Sequence, residues 1–402
     1  MDPAYGGPSQ GIRVSIPELE KLGVHNEVVC LDEPNNESLQ NDTFPIHALG
    51  KAKGPWAYNR NISPWLFDNL DRFDVVILHG LWLHYGYSLY KVINQIKKFH
   101  PKKSTPRFYI MPHGMLDPWF QNAKGRRLKA IRNSLYWKLF ENKIINHADG
   151  VLFTCKQELL LARETFPNYY PKEELNVGYG IATPPEHSAE MDMAFYERCP
   201  EVKGQPYILF LSRINVKKGV DLLVNAYLYL KANGLVLPKI VIAGPGLDSP
   251  YGKSIKQIAS VDKDIIFPGM LTGNAKWGAF YCCEAFALPS HQENFGIAVV
   301  EAMACSKPVL VSNQVNIWRE IEVNKGGIIA DDTLDGTCQI LKSFITCTND
   351  ERNTMGKSAF CTFKKHFHIR TTAYQLYQSL FQSFDSNDQT NSSACNDPRS
   401  LE

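Results

Sequence analysis

Two glutamates stand eight residues apart inside one short segment, residues 288–312, with the sequence LPSHQENFGIAVVEAMACSKPVLVS. Glu293 lies in a predicted loop, and Glu301 lies one turn inside the helix that follows. Between them, backbone N–H groups converge on the helix N-terminus, which favours a diphosphate or sugar hydroxyls; these groups belong to Asn294, Phe295, Gly296 and Ile297. Glutamates at this spacing are common on surfaces, but a strand exit, a glycine turn and a helix start together predict a nucleotide-sugar site.

Two cations follow another predicted strand. Arg213 and Lys218 lie in the loop after residues 207–212, YILFLS. One interpretation is a solvated basic loop. The other is a pair of cations that face a pyrophosphate and neutralise a leaving group, Arg as a fork and Lys as a point charge.

Two histidines follow buried strands of the first half of the chain. His113 lies in the turn Pro-His-Gly, which would lift its side chain toward a site, whereas His79 precedes a glycine. A single histidine is more often a structural residue. The turn favours a site role for His113 over one for His79.

Glycine turns and one exposed backbone segment complete the candidate site. Gly6 and Gly7 form a glycine loop before an amphipathic helix, and Gly244 and Gly246 follow a strand. Such turns are frequent between strands and helices, so each is a weak signal. The backbone of Met270 and Leu271, after a further strand, could pair with the edge of a base.

One acidic pair resembles a metal motif only formally. Asp262-Lys263-Asp264 has the form D-x-D, but it precedes a predicted strand rather than following one. The two carboxylates would therefore not meet at a strand edge. The sequence predicts a solvated turn here and no metal site.

A basic amphipathic stretch runs from Lys124 to Lys143. It holds several cations and one acid, Glu141, among apolar residues that include Leu128 and Ile131. A solvated face is one interpretation. Contact with an anionic membrane surface or an anionic acceptor is the other.

Strands and helices alternate in both halves of the chain, which predicts an α/β protein with parallel sheets. In the first half the predicted strands are residues 27–31, 75–78, 107–111, 150–154 and 174–180. In the second half they are residues 207–212, 239–243, 265–268, 285–288, 309–312 and 326–329, with final helices at 333–347, 349–365 and 369–384. Ligands of such sheets bind beyond the strand C-termini, where Gly6, Gly7, His79 and His113 fall.

A glycine loop and helix of this kind normally follow a buried strand, and none precedes Gly6. Either about eight residues of a first strand are missing, or the fold tolerates their absence. The predicted domains are residues 1–185 and 206–366, joined by a linker rich in Pro, Glu and Ser at 186–205. A helix at 367–385 and a flexible tail at 386–402 follow.

Composition narrows the class of protein. The 402 residues favour two domains, and a net charge of +2 argues against a nucleic-acid binder. No segment has the apolar length of a membrane span, and no signal peptide opens the chain. Ten scattered cysteines without a C-x-x-C pair predict reduced thiols and a cytoplasmic location.

Together these residues resemble the retaining glycosyltransferases of family 4, group 1 glycosyltransferases with the GT-B fold of two facing Rossmann-like domains and a deep interdomain cleft. The resemblance covers residues 3 to about 384. Its most specific mark is E-x7-E, ENFGIAVVE from Glu293 to Glu301. The R-x4-K mark runs from Arg213 to Lys218, and the PHG turn carries His113.

The resemblance implies a role for each motif. Glu293 would hold the donor sugar's hydroxyls beside the backbone of residues 294–297, and Glu301 would bind the ribose. Arg213 and Lys218 would stabilise the diphosphate, and His113 would face the sugar near the reacting carbon.

The resemblance also implies how the two domains work together. The first would be the acceptor side, where Gly6 and Gly7 would let the domain close on the phosphates. The second would bind the nucleotide-sugar, and the last helix would cross back to the first domain. Retention of configuration without a metal or cofactor is implied.

Within this family, DPAYGGPS and PHGMLDPW resemble bacterial enzymes of exopolysaccharide or lipid-linked oligosaccharide assembly. UDP-glucose is the first expectation for the donor. A saccharide or a lipid-linked oligosaccharide is expected as acceptor, at the inner face of the cell membrane.

Three alternatives stay open to test. A GT-B sugar-nucleotide epimerase would need an acid/base set around the sugar, and the sequence offers none. A catalytically idle nucleotide-sugar binder would act as a scaffold in a polysaccharide complex. Against this alternative, the sequence contains all five motif residues together: His113, Arg213, Lys218, Glu293 and Glu301. A dehydrogenase would need G-x-G-x-x-G after the first strand, which is absent.

Overall fold

The computed structural model of the chain describes residue 1, residues 7–123 and residues 125–388, with only the backbone described for residues 382–388. The predicted donor residue Gly6, the cation Lys124 and most of the predicted tail, residues 389–402, lie outside the described residues. The final helix continues to Asp388, so the part of the predicted tail at residues 386–388 is helical.

A four-stranded parallel sheet forms the centre of the first domain. Its strands, in spatial order, are β3 (Val75–His79), β4 (Arg107–Met111), β5 (Gly150–Phe153) and β6 (Glu174–Asn176). All residues of β5 are buried because helices cover both faces of the sheet, as its unbroken apolar sequence predicts. The carboxyl ends of β3 and β4 carry His79 and the turn that contains His113.

Two short strands lie apart from this sheet. β1 (Val28–Cys30) and β2 (Ile46–Ala48) pair in parallel after helix α1 (Gly7–Glu20). None of the described residues forms a strand that joins β1 to β3. The other helices of this domain are α2 (Ile62–Asn69), α3 (His84–Phe99), α4 (Trp119–Asn122), α5 (Arg127–Tyr136), α6 (Asn142–His147) and α7 (Lys156–Thr165).

The basic stretch forms one continuous helical segment, residues 127–147, with a π-helical turn inside it. A π-helical turn, Trp137–Glu141, joins α5 to α6. The wider turn brings two neighbouring side chains inward: the indole of Trp137 donates to Pro167 O at 2.8 Å, and buried Glu141 accepts from Trp82 N at 3.1 Å. The outer face of α5 keeps its aliphatic residues exposed.

The second domain contains a six-stranded parallel sheet with the order β12-β11-β10-β7-β8-β9. Its strands are β7 (Tyr207–Leu211), β8 (Lys239–Ala243), β9 (Ile265–Gly269), β10 (Ala285–Leu288), β11 (Val309–Ser312) and β12 (Gly327–Ala330). The order reverses between β7 and β10, and the loops after these two strands carry Lys218 and Glu293. Ligands of open parallel sheets bind at such a reversal.

Helices cover both faces of this sheet around one large apolar core. They are α8 (Ala189–Arg198), α9 (Val220–Ala232), α10 (Pro250–Ala259), α11 (Gly273–Cys282), α12 (Ile297–Ala304), α13 (Trp318–Val323), α14 (Leu334–Thr346) and α15 (Asn349–Thr362). The order agrees with the predicted alternation of strands and helices.

The segment predicted as a linker belongs largely to the second domain, which corrects the boundary at residue 206. It contains helix α8 (Ala189–Arg198) and the 3-10 turn Pro200–Val202. Phe195 is fully buried with its ring centroid 5.4 Å from that of Tyr207. Gly278 of α11 permits this close packing, since a Cβ there would lie 2.9 Å from the Cβ of Phe195. The Pro- and Glu-rich composition predicts a linker with a short helix, but it does not show that this helix packs into the core of the second domain.

The last helix, α16 (Ile369–Asp388), returns to the first domain, where Leu380 packs with Tyr109 and Leu152. The chain therefore crosses between the domains twice. The two crossings are hydrogen-bonded to each other: Ile181 N donates to Phe367 O at 2.9 Å, and Ile369 N donates to Ile181 O at 3.0 Å.

Removal of a buried side chain tests the corrected boundary. Phe195→Ala should lower the free energy of unfolding of the second domain by about 3–5 kcal/mol, because it leaves a cavity in the core. Denaturant unfolding followed by tryptophan fluorescence measures this. Met193→Ala, at a position 58% exposed on the same helix, should cost far less; equal effects would show that α8 is a linker element outside the core.

Candidate active site

The loop of Glu293 is held by its own backbone. Glu293 N donates to Gln314 O at 2.9 Å, and Asn316 N donates to Glu293 O at 2.9 Å. Gly296 then turns the chain into α12 with a left-handed φ of 79°. These constraints hold the Glu293 loop in place, and the Glu293 carboxylate forms an ion pair with Lys218.

Lys218 ends a 3-10 turn, Val216–Lys218, after β7. The next residue, Gly219, has φ 64°, and a Cβ there would overlap the carbonyl oxygen of Pro289. Lys218 is buried, with a relative exposure of 6%. Burial, followed by repulsion from Lys217 and Arg213, lowers the pKa of Lys218, while the Glu293 carboxylate favours its charged form.

Arg213 is exposed in the same loop, so its guanidinium faces solvent beside Lys218. The glycines predicted to touch the donor support this loop from behind. Ile214 N donates to Pro245 O at 2.8 Å, and a Cβ at Gly246 would lie 2.6 Å from Ile214 O. A Cβ at Gly244 would overlap Ser212 O. In the structure these two glycines shape the Arg213 loop by close backbone packing.

His113 lies at the carboxyl end of β4 with a left-handed φ of 52°, followed by Gly114 with φ 79°. Its ring stacks on His79 with centroids 5.2 Å apart, and His113 Nε2 lies 2.9 Å from His79 Nδ1. Burial lowers the pKa of His79 to about 4 and holds that of His113 well below its usual value, with His79 adding repulsion. Both rings are therefore neutral near pH 7.

A buried carboxylate holds the His113 turn in place. Glu158 accepts from the backbone N–H of Gly114, from Thr154 N at 2.8 Å and from Thr154 Oγ1 at 2.6 Å. Burial raises the pKa of Glu158, and these hydrogen bonds oppose the rise. The turn is thereby tied to the start of α7.

The two domains touch directly at this point, where the sequence predicts a deep cleft. Asn294 Nδ2 donates to Thr154 Oγ1 at 3.1 Å, and a Cβ at Gly114 would lie 2.6 Å from Asn294 Cγ. Gln292 Nε2 donates to Asp117 Oδ2 at 2.8 Å, with both residues buried. The loops of His113 and Glu293 thus face each other in contact, which brings the predicted residues of both domains into one place.

Glu301 lies one turn inside α12 and accepts from Lys276 Nζ at 2.6 Å. Burial raises the pKa of Glu301, and Lys276 opposes that rise. Near the end of β9, Met270 is 61% exposed whereas Leu271 is buried in the core. The side chain of Leu271 is therefore a core residue, and only its backbone is open to the role predicted for it.

Gly7, at the start of α1, lies next to the Glu293 helix. A Cβ at Gly7 would lie 3.5 Å from Ile297 Cδ1, and Tyr179 donates its hydroxyl to Gly7 O at 2.6 Å. Phe295 packs between Tyr179 and Phe367, with centroids at 4.8 and 5.6 Å. The Phe295 side chain is structural, whereas its backbone belongs to the start of α12.

Two clusters that contain aspartate lie outside the candidate site. Asp262 and Asp264 each form an ion pair of 2.7 Å with Lys231, so the D-x-D turn is anchored by a lysine rather than merely solvated. His187, Asp192 and Cys282 bring their ligand atoms within 4.8 Å of one another. The Asp192 carboxylate already accepts from the other two, at 2.7 and 3.0 Å.

Sequence reasoning missed several residues that position the site: Asp117, Glu158, Gly219, Lys276 and Asn316. Two had a visible signal. Asp117 lies in the same PHGMLDPW stretch as His113, and Gly219 directly follows Lys218 before a helix. The others act through long-range contacts that no local pattern shows.

Residues 196–360 match the family model described as Glycosyl transferases group 1, which supports the predicted family. Among curated relatives, O-antigen chain mannosyltransferase C of Escherichia coli is 25% identical over 223 residues, 53% of this chain and 57% of the relative. Alpha-monoglucosyldiacylglycerol synthase of Streptococcus pneumoniae is 24% identical over 281 residues, 65% of this chain and 58% of the relative. The chain spans less than two thirds of the length of these relatives.

Solved structures resemble the chain over nearly its whole length. Sucrose-phosphate synthase from Thermosynechococcus elongatus has a TM-score of 0.67 at 17% identity, covering 95% of this chain and 94% of its own. HepE of Anabaena, in complex with UDP and glucose, has a TM-score of 0.67 at 16% identity, covering 94% and 96%. At these identities the similarity concerns the fold, and it confirms the predicted GT-B fold.

A pair of glycine substitutions tests how Lys218 is positioned. Gly219→Ala should lower the stability of the second domain more than Gly234→Ala. Both positions have positive φ, which costs an alanine about 1 kcal/mol, but only Gly219 has a carbonyl oxygen where the Cβ must go. Thermal unfolding of both variants measures the difference. Similar unfolding midpoints would show that the Lys218–Gly219 loop can shift away from Pro289 at little cost in stability.

Proposed function

We propose that this chain, whose residues 196–360 match group 1 glycosyl transferases within a GT-B fold, is a retaining hexosyltransferase. It moves a hexose, glucose in the first instance, from a UDP-sugar to a saccharide or lipid-linked acceptor in polysaccharide biosynthesis. The observation that carries the proposal is the ion pair of buried Lys218 with half-buried Glu293 before the start of α12, where Asn294 contacts the His113 turn of the other domain.

The ion pair suggests how the donor's charge is received. A diphosphate carries more negative charge than one carboxylate, so it competes for Lys218 and draws Arg213 from solvent. Glu293 is then released to accept hydrogen bonds from the sugar's hydroxyls. As the bond to phosphate breaks, Lys218, Arg213 and the N–H groups of residues 294–297 stabilise the charge that grows on the leaving group.

The remaining motif residues act on the sugar and the ribose. His113 is neutral because burial and His79 lower its pKa, so it can hydrogen-bond the sugar without adding a positive charge beside the reacting carbon. Glu301 accepts from both ribose hydroxyls and gives up part of its contact with Lys276. The leaving diphosphate is stabilised by Arg213 and Lys218, so the proposal requires no metal or cofactor.

The proposed donor and the proposed class of acceptor are supported by the names of similar proteins. A structure of Anabaena HepE is described in complex with UDP-glucose. The Escherichia coli relative is named for the O-antigen chain, and the Streptococcus pneumoniae relative for a glucosyldiacylglycerol. These names support a UDP-hexose donor and a saccharide or lipid-linked acceptor.

An idle nucleotide-sugar binder is the alternative with a distinct outcome. It would keep the same charged groups and bind UDP without turnover. An epimerase would need an acid and a base on the sugar. The His113–His79 pair, which lies where the sugar is expected, is neutral. Glu293 is the one carboxylate that the proposal assigns to that sugar.

Loss of one partner of the ion pair tests the mechanism. Glu293→Ala and Lys218→Ala should each lower the rate of UDP release from UDP-glucose by about 100-fold or more. A UDP-release assay measures this, with and without EDTA, which should leave the wild-type rate unchanged. Lys253→Gln, at an exposed position of α10, is the control. Tight UDP binding without turnover of any UDP-sugar would favour the idle binder.

We also propose that α5 rests on an anionic membrane surface. The outer face of α5 and of the π-helical turn that follows it exposes four aliphatic side chains in a row, together with the cations Arg127, Lys129 and Arg132. The exposed fractions are 84% for Leu128, 65% for Ile131, 58% for Leu135 and 48% for Leu139. No helix among the described residues has the length and apolarity to cross a bilayer. An exposed apolar row beside cations favours shallow insertion.

Substitution of the exposed row tests this contact. Ile131→Ser together with Leu135→Ser should lower binding to vesicles with anionic lipid by about tenfold, since both side chains would insert. Vesicle co-sedimentation at constant salt measures the bound fraction. Val236→Ser, at an aliphatic position 91% exposed in the second domain, is the matched control. Wild-type protein that stays in the supernatant would refute the proposal.

A further inference from the structure

Two cations from different domains share one pair of aromatic rings. Lys217 of the second domain places Nζ 5.6 Å from the ring centroid of Trp119 and 5.1 Å from that of Phe120. Arg126 of the first domain places Cζ 5.9 and 5.0 Å from the same two centroids. The rings meet edge to face at 5.3 Å, so the four residues form a cation–aromatic cluster across the domain boundary.

The surroundings of this cluster are strongly positive. Arg213 and Lys218 lie close enough to repel Lys217, and Arg126 adds to that repulsion. Burial together with these two arginines lowers the pKa of Lys217 to about 8, although Asp117 opposes the shift. Asp117 already accepts from Gln292 Nε2 and from Trp119 N at 2.8 Å each. Four cations thus face two carboxylates, Asp117 and Glu293.

One buried donor of the cluster lacks a partner among the described residues. Arg126 Nε is buried without a hydrogen bond. An unsatisfied buried donor costs about 1–3 kcal/mol, and more when it is charged. Aromatic faces compensate a cation only in part. A ligand with several acceptor oxygens would hydrogen-bond the guanidinium and offset the repulsion between Lys217 and Arg126.

The cluster lies beside the residues proposed to bind the donor diphosphate, but half of it belongs to the other domain. Lys217 is adjacent to Lys218 in the same 3-10 turn, and Asp117 follows the His113 turn by four residues. Arg126, Trp119 and Phe120 belong to the first domain, which faces the acceptor in the proposed function. We infer that Arg126 and Lys217 form a second anion subsite, which binds a phosphate group carried by the acceptor. This inference rests on the proposed function for the acceptor's identity but not for the binding of phosphate.

A titration with and without UDP tests the subsite on the full chain. Inorganic phosphate should bind the UDP-saturated protein in calorimetry, and Arg126→Gln or Lys217→Gln should each weaken that binding by about tenfold. UDP affinity should change by less than about threefold. Arg60→Gln and Lys253→Gln, at exposed cations elsewhere, are the matched controls. Lys217→Arg should restore phosphate binding, which separates lost charge from a folding defect.

Two phosphate esters distinguish the source of the group. Glucose 6-phosphate represents a soluble sugar phosphate, and dihexanoyl phosphatidic acid represents a lipid phosphate. Binding of either one with the same dependence on Arg126 and Lys217 supports the subsite, and the tighter of the two gives the acceptor class.

Three results would overturn the inference. The first is wild-type protein that binds none of these phosphates. The second is equal phosphate binding in the Arg126 and Lys217 variants and in the controls. The third is a loss of UDP affinity as large as the loss of phosphate affinity, which would assign both cations to the donor diphosphate. A protein that binds phosphate but not UDP would refute the proposed function and leave the subsite intact.

Discussion

The ion pair between buried Lys218 and half-buried Glu293 is the interaction on which the second-domain half of the site depends. A lysine with 6% exposure is stable in its charged form only beside an acid. The pair in turn needs Gly219, whose left-handed backbone lies against Pro289, and the backbone bonds that clamp Glu293 between Gln314 and Asn316. Sheet order explains why these loops meet, since β7 and β10 are neighbours where the strand order reverses.

The first domain contributes an uncharged histidine pair and a cationic side chain to the site. His113 and His79 share a hydrogen bond and stay uncharged because both are buried. Arg126, by contrast, brings a cation toward Lys217. An uncharged histidine pair and a cationic cluster therefore belong to the same segment of the first domain. Asp117, four residues after His113, joins this segment to the second domain through Gln292.

Much of the arrangement could be predicted from short patterns. Apolar runs such as residues 150–153 predict strands buried on both faces, and E-x7-E and R-x4-K lie at strand exits, where parallel sheets bind ligands. The patterns are local, and they identify residues that lie close together in sequence. The Glu293–Lys218 pair joins residues 75 apart in sequence, and no spacing rule could link them.

Other features could not be predicted because they arise from packing between distant elements. Helix α8 has a polar and Pro-flanked sequence, and only the position of Gly278 on α11 shows why Phe195 is buried. The π-helical turn at Trp137 depends on partners at Pro167 and Trp82. The contact of Asn294 with Gly114 requires two domains in register, so no pattern within one domain predicts that the cleft is narrow there.

The paired crossings near Ile181 and Ile369 have a mechanical consequence. A single strand between two domains would act as a swivel and permit rotation about its own axis. Two crossings joined by hydrogen bonds at 2.9 and 3.0 Å instead resist rotation of one domain about the chain axis. Bending at the crossings is then the easier motion. Gly180, where a Cβ would overlap Thr372, permits the close contact between the two crossing segments. If Asn294 and Gly114 separate, we therefore expect the two loops to move apart by rotation about the paired crossings rather than by twisting.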